Sequence, residues 1–326
     1  SSGSEDLAET ESREEGRQVI DRAEYIRPSS LGPTEICNGR PLMEARTVRL
    51  VPAILLLSRP AADQGTMGHA VVAQTLALTY QQPGGWTMPD DSLTQMAAAM
   101  ARLEPWTRDA VRRCVAYAVA LVDQCVQVEF EVTIQIEMHL SGAGVGIARG
   151  GTADLVLLCR MPGDSRIALV IVADWKLGWL DQGEAADHLQ LGTYATMAFD
   201  KHQPEQGVTV HLAQGRRQEF SSAHYQPAQI ERLRPRILDI VRAAKSDAPA
   251  LNPTIEACRY CRALTHCRAV RERIMHAAEE RALFGDEVAD RIKLAEDAAL
   301  AKRFVEEVKA LQKQWQDEAQ ASKGAA

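Results

Sequence analysis

The chain has 326 residues, 46% hydrophobic and 25% charged, which is the composition of an ordinary globular protein with enough apolar residues for a core. Its formal net charge of −7 argues against a generic nucleic-acid coat protein, since such proteins are basic, but it leaves room for a local basic face. The apolar runs are too short to span a bilayer, and the acidic, polar N-terminus predicts no signal peptide, so we expect a cytoplasmic protein without a membrane partner. Seven cysteines in such a protein favour metal ligation or buried thiols over disulfides.

The N-terminal third of the chain is predicted to be helical. Residues 1–25 are expected to form an acidic leader that begins with a tag-like Ser-Gly stretch, and residues 26–46 are punctuated by Pro, Gly and Ser. Residues 64–82 have helical spacing after a Gly-Thr pair. Residues 89–124 predict one or two further helices, the clearer one from Trp106 to Val122.

The period of the apolar residues then changes from that of helices to that of strands. Strands are predicted for Val126–Leu140, Thr152–Cys159, Ile167–Asp174 and Val208–Ala213, and helices for Ala185–Phe199, Gln229–Lys245 and the charged C-terminal region Ala269–Ser322. Because a β-meander is followed by alternating helix and strand, we expect a mixed α/β sheet with helical cover.

Two of these strands carry charged residues at neighbouring ends. Asp154 stands near the start of one strand, and Asp174 and Lys176 stand at the end of the next. Asp174 and Lys176 share a face because they are two residues apart, and Asp154 reaches the same edge if the strands pair as a hairpin. Converging carboxylates persist when a cation holds them, and oxygen ligands suit Mg²⁺ or Mn²⁺, so the pattern indicates phosphodiester hydrolysis with Lys176 beside the metal. The alternative is a solvated strand end in which Asp154 caps a turn.

Longer motifs surround these residues. "GTADLVLLC", followed by "VADWKLGW" and then by "QLGTYA", resembles the PD-(D/E)XK nuclease superfamily, specifically its RecB-like exonuclease branch. The resemblance implies an α/β fold of the restriction-endonuclease type, with a mixed sheet flanked by helices and helical N- and C-terminal additions. It also implies that Asp154, Asp174 and Lys176 form the catalytic metal site. The proline of the superfamily's name is absent here, at a position that is loose in that superfamily.

The resemblance extends to a histidine and to a helix. His69 in "GTMGH" matches the upstream histidine that completes the metal site of RecB-like nucleases, whereas a lone helical histidine is more often a surface or core residue. Gln190 and Tyr194 match a Gln and a Tyr on the helix after the lysine strand. Being four residues apart, they share a helix face and could contact the scissile strand. The alternative for both is a packing stripe of that helix.

A cysteine cluster follows the expected core. "CRYCRALTHC" places Cys258, Cys261 and Cys267 at metal-ligand spacing, and a fourth ligand is needed. Some RecB-like nucleases share this C-terminal arrangement, and the resemblance implies that Cys37 is the fourth ligand of a [4Fe–4S] cluster joining the two ends of the domain. Zinc, bound with either Cys37 or His266, is the competing metal. The other cysteines are expected to be buried small residues: Cys114, Cys125 and Cys159.

The resemblance covers roughly residues 26–270 and predicts a nuclease domain over 26–268 with a charged helical extension over 269–326. We expect a DNA nuclease that uses Mg²⁺ or Mn²⁺, an exonuclease of phage-type recombination, replication or repair, located in the bacterial host cytoplasm. Four arginines around the cysteines are candidates for DNA phosphate contacts or, alternatively, for a solvated helix face: Arg259, Arg262, Arg268 and Arg271. No G-x-x-x-x-G-K-[ST] motif occurs, so unwinding or annealing would come from a partner such as a phage single-strand-binding or strand-annealing protein.

Two rival functions belong to different classes. A non-catalytic DNA-binding or assembly protein could retain a nuclease fold, although no position of the expected metal site is missing. A metal-stapled interaction module could use the charged C-terminal helices to dock a partner. Metal-dependent digestion of labelled linear DNA separates both from an enzyme.

Overall fold

The computed structural model describes residues 26–50, 60–80, 90–284 and 291–324, so the expected leader over residues 1–25 lies outside the described residues. The helices are α1 (Leu31–Ile36), α2 (Arg40–Leu50), α3 (Pro60–Tyr80), α4 (Asp90–Arg102), α5 (Pro105–Gln127), α6 (Leu189–His202), α7 (Pro227–Lys245), α8 (Ile255–Cys258), α9 (Arg268–Phe284) and α10 (Arg291–Gly324). The strands are β1 (Glu131–Leu140), β2 (Gly151–Arg160), β3 (Leu169–Trp175), β4 (Val208–Gln214) and β5 (Glu219–Tyr225).

The five strands form one mixed sheet in the order β1-β2-β3-β4-β5. The first three pair antiparallel, β3 and β4 pair parallel, and β4 and β5 pair antiparallel. Helix α6 makes the crossover between the parallel strands, as a parallel connection requires. The expected mixed α/β sheet with helical cover is confirmed at this level.

Several predicted boundaries are wrong, for local reasons. The strand expected from Val126 begins only at Glu131, because α5 continues to Gln127, and the valines that suggested alternation lie exposed at the end of this helix. The helix expected from Ala185 begins at Leu189. Strand β5 was not expected, because its sequence "EFSSAHY" is polar and only half-buried at the edge of the sheet.

A hydrophobic layer covers each face of the sheet. Helices α6 and α7 pack on one face against Val156, Val170 and Val172. Helices α3 and α5 pack on the other face against Leu157 and Ile171. Strand β3 is therefore buried on both faces, which explains why its sequence is a continuous apolar run rather than an alternating one.

Side chains along β1 and β2 alternate between the two faces of the sheet, and this alternation is interrupted at one pair of facing positions. On β1, Ile136 faces the α3/α5 layer, but Met138, two residues later, faces the α6/α7 layer. On β2, Leu155 faces the α3/α5 layer and Ala153 faces the α6/α7 layer. These residues pair as Ile136 with Leu155 and Met138 with Ala153, so Glu137 and Asp154 stand opposite each other between them. Glu137 has a φ of 50°, in the left-handed region that side chains other than glycine rarely adopt. The side chains of β2 therefore switch from one face of the sheet to the other at Asp154.

The C-terminal helices pack on the cysteine segment. Leu300 of α10 is buried in a small apolar cluster with Cys258, Cys267 and Val270. Arg273 of α9 forms an ion pair with the buried Asp297 of α10, which ties the two helices together. Of the helices in the four described segments, none is long and apolar enough to cross a membrane.

Candidate functional site

The ends of β2 and β3 bring Asp154 and Asp174 to one edge of the sheet. The strands pair antiparallel, and the last pair of the ladder joins Leu155 to Ala173. Asp154, just before Leu155, and Asp174, just after Ala173, are therefore neighbours on adjacent strands. The backbone N–H of Trp175 donates to Oδ2 of Asp154 over 2.6 Å. The hairpin that the expected site requires is therefore present. Asp154 is hydrogen-bonded to the backbone of Trp175, the residue after Asp174.

Asp174 lies in a closed set of polar contacts with Lys176 and Gln190. The Nζ of Lys176 lies 2.7 Å from Oδ2 of Asp174 and donates to Oε1 of Gln190 over 2.9 Å. Nε2 of Gln190 donates to Oδ1 of Asp174 over 3.0 Å. Asp174 is only 4% exposed, so the ammonium group beside it offsets the cost of burying its charge.

His69 comes to the same edge from the opposite helical layer. Its Nδ1 lies 3.1 Å from Oδ1 of Asp154. A side chain at the preceding Gly68 would press on Leu177 and lie 3.1 Å from Thr107, so this glycine lets α3 approach the end of β3. Burial lowers the pKa of His69, but its hydrogen bond with Asp154 and the negative charges of both aspartates outweigh burial, and its pKa is raised. The two aspartates therefore make the His69 ring easier to protonate.

Tyr194 supports Gln190 from the protein interior. Its hydroxyl accepts a hydrogen bond from Nε2 of Gln190 over 3.2 Å and donates to the carbonyl oxygen of Thr152 over 2.8 Å. Tyr194 is 4% exposed and packs in the α6/α7 layer. Its geometry is that of a residue that positions Gln190 against β2.

The donor set at this edge fits a hard divalent cation. The two carboxylates are the ligands that Mg²⁺ and Mn²⁺ prefer, whereas the His69 imidazole is a nitrogen donor more typical of softer metals. Asp174 Oδ2 accepts no hydrogen bond of regular geometry although the Lys176 ammonium lies beside it. His69 contacts Oδ1 of Asp154 and Lys176 contacts Oδ2 of Asp174, and these are carboxylate oxygens that would bind the metal. Within the described segments, no three His, Cys, Asp or Glu side chains are already arranged so that they could hold a metal ion. Metal binding would therefore exchange these contacts for ligation.

A cleft runs along this edge as two cavities that meet at Lys176. The first is lined by Thr66, His69 and Trp175, and the second by Gln190 and residues of α1, α7 and α8. Both share four lining residues: Lys176, Leu180, Gln182 and Tyr260. A chain-like ligand lying in the cleft would pass over Lys176.

One of the four candidate arginines lies in this cleft. Arg259 lines the second cavity together with Arg40 and Arg236, of which the last pairs with Glu35. Arg262, Arg268 and Arg271 line neither cavity, and Arg268 pairs with Glu272 along α9. The geometry gives a place at the cleft to Arg259 alone among the four.

Four cysteines line one small, apolar cavity on the far side of the α8 segment. Cys37 joins Cys258, Cys261 and Cys267 there, and all four side chains are buried. His266 does not line this cavity, and its Nδ1 lies 2.9 Å from the Thr265 hydroxyl, so the geometry favours Cys37 over His266 as a fourth ligand. The remaining three cysteines are buried elsewhere, as expected: Cys114, Cys125 and Cys159.

The thiols of this cavity are close enough to influence one another. Burial, together with the negative charges that Cys37 and Cys267 would carry, raises the pKa of Cys258 to about 12. Burial also raises the pKa of Cys37 and of Cys261. Metals bind cysteine as the thiolate, and these buried thiols are hard to deprotonate because water does not surround them. A positively charged metal in the cavity would stabilise the thiolates.

A buried ion pair on α2 holds the cysteine loop. Nε of Arg40 lies 3.2 Å from Oε1 of Glu44, and both side chains are less than one-tenth exposed. Arg40 also donates to the carbonyl oxygen of Ala257 over 3.0 Å, and Glu44 accepts from the backbone N–H of Arg262 over 3.1 Å. The pair therefore binds the backbone on both sides of Cys258 and Cys261.

Three features of the site were not predicted from sequence. The Arg40–Glu44 pair and Tyr260 had no motif to mark them, although a Tyr and an Arg enclosed by a C-x₂-C pair are a signal that the loop presents side chains outwards. The guanidinium of Arg216 lies between the rings of Trp106 and Trp179, 3.4 and 3.7 Å from their centroids. This stack holds the segment that follows Lys176.

Comparison with known proteins places the chain in an uncharacterised group. A family model described as a protein of unknown function, DUF2800, matches residues 56–325. The match continues through both C-terminal helices and does not end at residue 268. A search of curated proteins finds no match.

Proposed function

The chain belongs to DUF2800, a family of proteins of unknown function, and we propose that it is a metal-dependent DNA nuclease with the PD-(D/E)XK fold. The observation that supports this most directly is the junction of β2 and β3. There His69 contacts Asp154, and Lys176 and Gln190 contact Asp174, all beside one cleft. The motifs that resemble RecB-like nucleases supply these same residues from four separate segments.

The metal of the proposed enzyme is Mg²⁺ or Mn²⁺, held by His69, Asp154 and Asp174. When bound, such an ion lowers the pKa of water and polarises a phosphate oxygen. The protein's own part is to fix the two carboxylates at adjacent strand ends, where the Trp175 N–H and Gln190 orient them. Orientation of this kind lowers the entropic cost of assembling the reacting groups.

Lys176 is the group proposed to act on the reacting phosphate. In hydrolysis the water oxygen forms a bond to phosphorus, the bond to the leaving oxygen breaks, and the leaving oxygen takes up a proton. Negative charge grows on the phosphate oxygens during this step, and the ammonium of Lys176 at the junction of the two cavities is placed to offset it. Gln190 holds that ammonium through its Oε1, and Tyr194 holds Gln190.

The four-cysteine cavity is proposed to bind a [4Fe–4S] cluster that joins the segment around Cys37 to the loop over residues 258–267. The donor set fits, since four thiols line an apolar cavity beside the Arg40 cation. One zinc ion could be held by the same four thiols. The cluster is favoured over zinc by the resemblance to RecB-like nucleases that share this C-terminal cysteine arrangement, and metal analysis of anaerobically purified protein decides between them.

The proposed activity is tested by digesting end-labelled linear, nicked and circular DNA with the purified protein, with and without Mg²⁺ or Mn²⁺. We expect metal-dependent degradation of linear DNA that chelator abolishes, and resistance of covalently closed circles if the enzyme acts from ends. Binding of DNA without cleavage under any of these conditions would contradict the enzyme and support a non-catalytic DNA-binding protein. Neither binding nor cleavage would contradict both.

A further inference from the structure

Tyr260 is a large exposed side chain that lines the same cavities as the proposed catalytic lysine. The residue is 56% exposed and lines both cavities, together with Lys176. A single exposed aromatic ring is common on a protein surface and does not by itself mark a binding site. Tyr260 is distinguished by its position, because it lines both of the cavities that meet at Lys176.

The loop that carries Tyr260 is rigidly held. Cys258 and Cys261 are buried on either side of it, and the backbone N–H of Cys261 donates to the carbonyl oxygen of Cys258 over 3.1 Å. The Arg40–Glu44 pair binds the chain just before and just after this turn. The cysteines therefore point inward, while Arg259 and Tyr260 between them line the cleft.

One side of the Tyr260 ring has a cationic neighbour. The guanidinium carbon of Arg303 on α10 lies 5.7 Å from the ring centroid, within the range of a cation–π contact. Such a contact fixes the orientation of the ring but leaves more than half of the residue open to the cleft. A flat, oriented ring beside an arginine is the arrangement on which single-stranded nucleic acids stack.

We propose that Tyr260 stacks on an unpaired base of the DNA strand that enters the cleft, that Arg259 contacts a neighbouring phosphate, and that the enzyme therefore selects single-stranded DNA. This inference rests on the proposed nuclease function and adds the form of the substrate. Bases inside a duplex already stack on one another and cannot cover the tyrosine ring, whereas an unpaired base has a free face. Stacking is tolerant of sequence, because every base offers such a face.

The test measures DNA binding by fluorescence anisotropy with Ca²⁺ in place of Mg²⁺, using a labelled oligo-dT strand and a blunt hairpin duplex. The variants are Tyr260→Leu and Tyr260→Trp, with Phe220→Leu as the matched control, since Phe220 is an exposed aromatic residue on β5 that lines neither cavity. We expect Tyr260→Leu to weaken oligo-dT binding about tenfold, as the loss of one stacked base predicts. Tyr260→Trp should restore it, and neither variant should change duplex binding.

Each outcome bears on a different claim. If the wild type cleaves DNA but Tyr260→Leu binds oligo-dT as tightly as the Phe220→Leu control, the stacking role is overturned and the nuclease remains. If Tyr260→Leu weakens strand and duplex equally, the preference for single strands is overturned. If the wild type neither binds nor cleaves any DNA, the inference falls together with the proposed function. Thermal melts of all variants show whether a loss of binding reflects unfolding.

Discussion

Replacing Arg40 by methionine should destabilise the whole fold, although this residue touches none of the proposed catalytic groups. Arg40 is buried beside Glu44 and binds the carbonyl oxygen of Ala257. Methionine keeps most of the side-chain volume, so the change removes the charge and the hydrogen bonds rather than the packing. Glu44 would keep the Arg262 N–H as a hydrogen-bond donor but would lose its cation.

The size of the effect follows from the burial of the pair. Removing one partner of a buried ion pair costs about 3–5 kcal/mol, because the remaining charge is left uncompensated. The lost hydrogen bond to Ala257, which contributes about 1 kcal/mol net, is counted as part of that cost. At roughly 2 °C per kcal/mol for a chain of this size, Arg40→Met should lower the melting midpoint by about 8 °C.

A double variant separates charge from packing. Arg40→Met combined with Glu44→Gln removes both charges but keeps an amide oxygen that can accept from the Arg262 N–H. We therefore expect the double variant to be more stable than Arg40→Met alone, with most of the lost midpoint recovered. Melting followed by circular dichroism measures all of these differences. The control is Arg112→Met, which breaks an exposed pair with Asp109 and should shift the midpoint by about 1 °C or less.

Two results would refute this reasoning. A midpoint for Arg40→Met equal to that of the Arg112→Met control would show that the buried pair does not hold the cysteine loop. A double variant less stable than Arg40→Met would show that the isolated carboxylate of Glu44 is not the source of the cost.

The remaining predictions concern the cysteines, a buried histidine and the proposed catalytic lysine. Cys258→Ser should lose the bound iron and lower the melting midpoint, whereas Cys159→Ala should keep the iron; equal iron content in both would exclude Cys258 as a ligand. Burial lowers the pKa of His211 to about 4, so its contribution to stability is complete above its ordinary pKa of about 6.5 and falls by about 3 kcal/mol as the pH drops to 4. His211→Gln should remove that part of the pH dependence in unfolding titrations, and an unchanged slope would contradict it. Lys176→Met should lower turnover more than Mn²⁺ affinity measured by calorimetry, and a loss of affinity alone would make its role structural.

The apolar runs made the centre of the fold predictable. Strands β2 and β3 are buried on both faces, so their sequences carry a strong signal, and pairing them in register places Asp154 beside Asp174. The polar strand β5 and the face change at Glu137 have no such signal. They depend on tertiary contacts and on one unusual backbone angle, which local patterns do not encode.

The spacing of residues in the sequence was less informative about which side chains line the cleft. The charges of Arg259, Arg262, Arg268 and Arg271 looked equivalent, but only the loop geometry shows that Arg259 lines the cleft. Aromatic residues make up only 5% of the sequence, yet one of them, Tyr260, lines the cleft beside Lys176. Such placement depends on which segments lie next to each other in the fold, and a single sequence does not show this.

The carboxylates at the ends of β2 and β3 are proposed to support metal-dependent hydrolysis of DNA. The most direct test compares the initial rate of linear DNA cleavage in Mn²⁺ for the wild type, Asp174→Asn and Asp200→Asn. Asp200 is the matched control because it also forms a close ion pair, with Arg234, but lies near the C-terminal end of α6, away from Gln190 and the proposed metal site at its start. We predict that Asp174→Asn abolishes cleavage while Asp200→Asn cleaves at the wild-type rate, and cleavage by Asp174→Asn at the rate of the control would contradict the account.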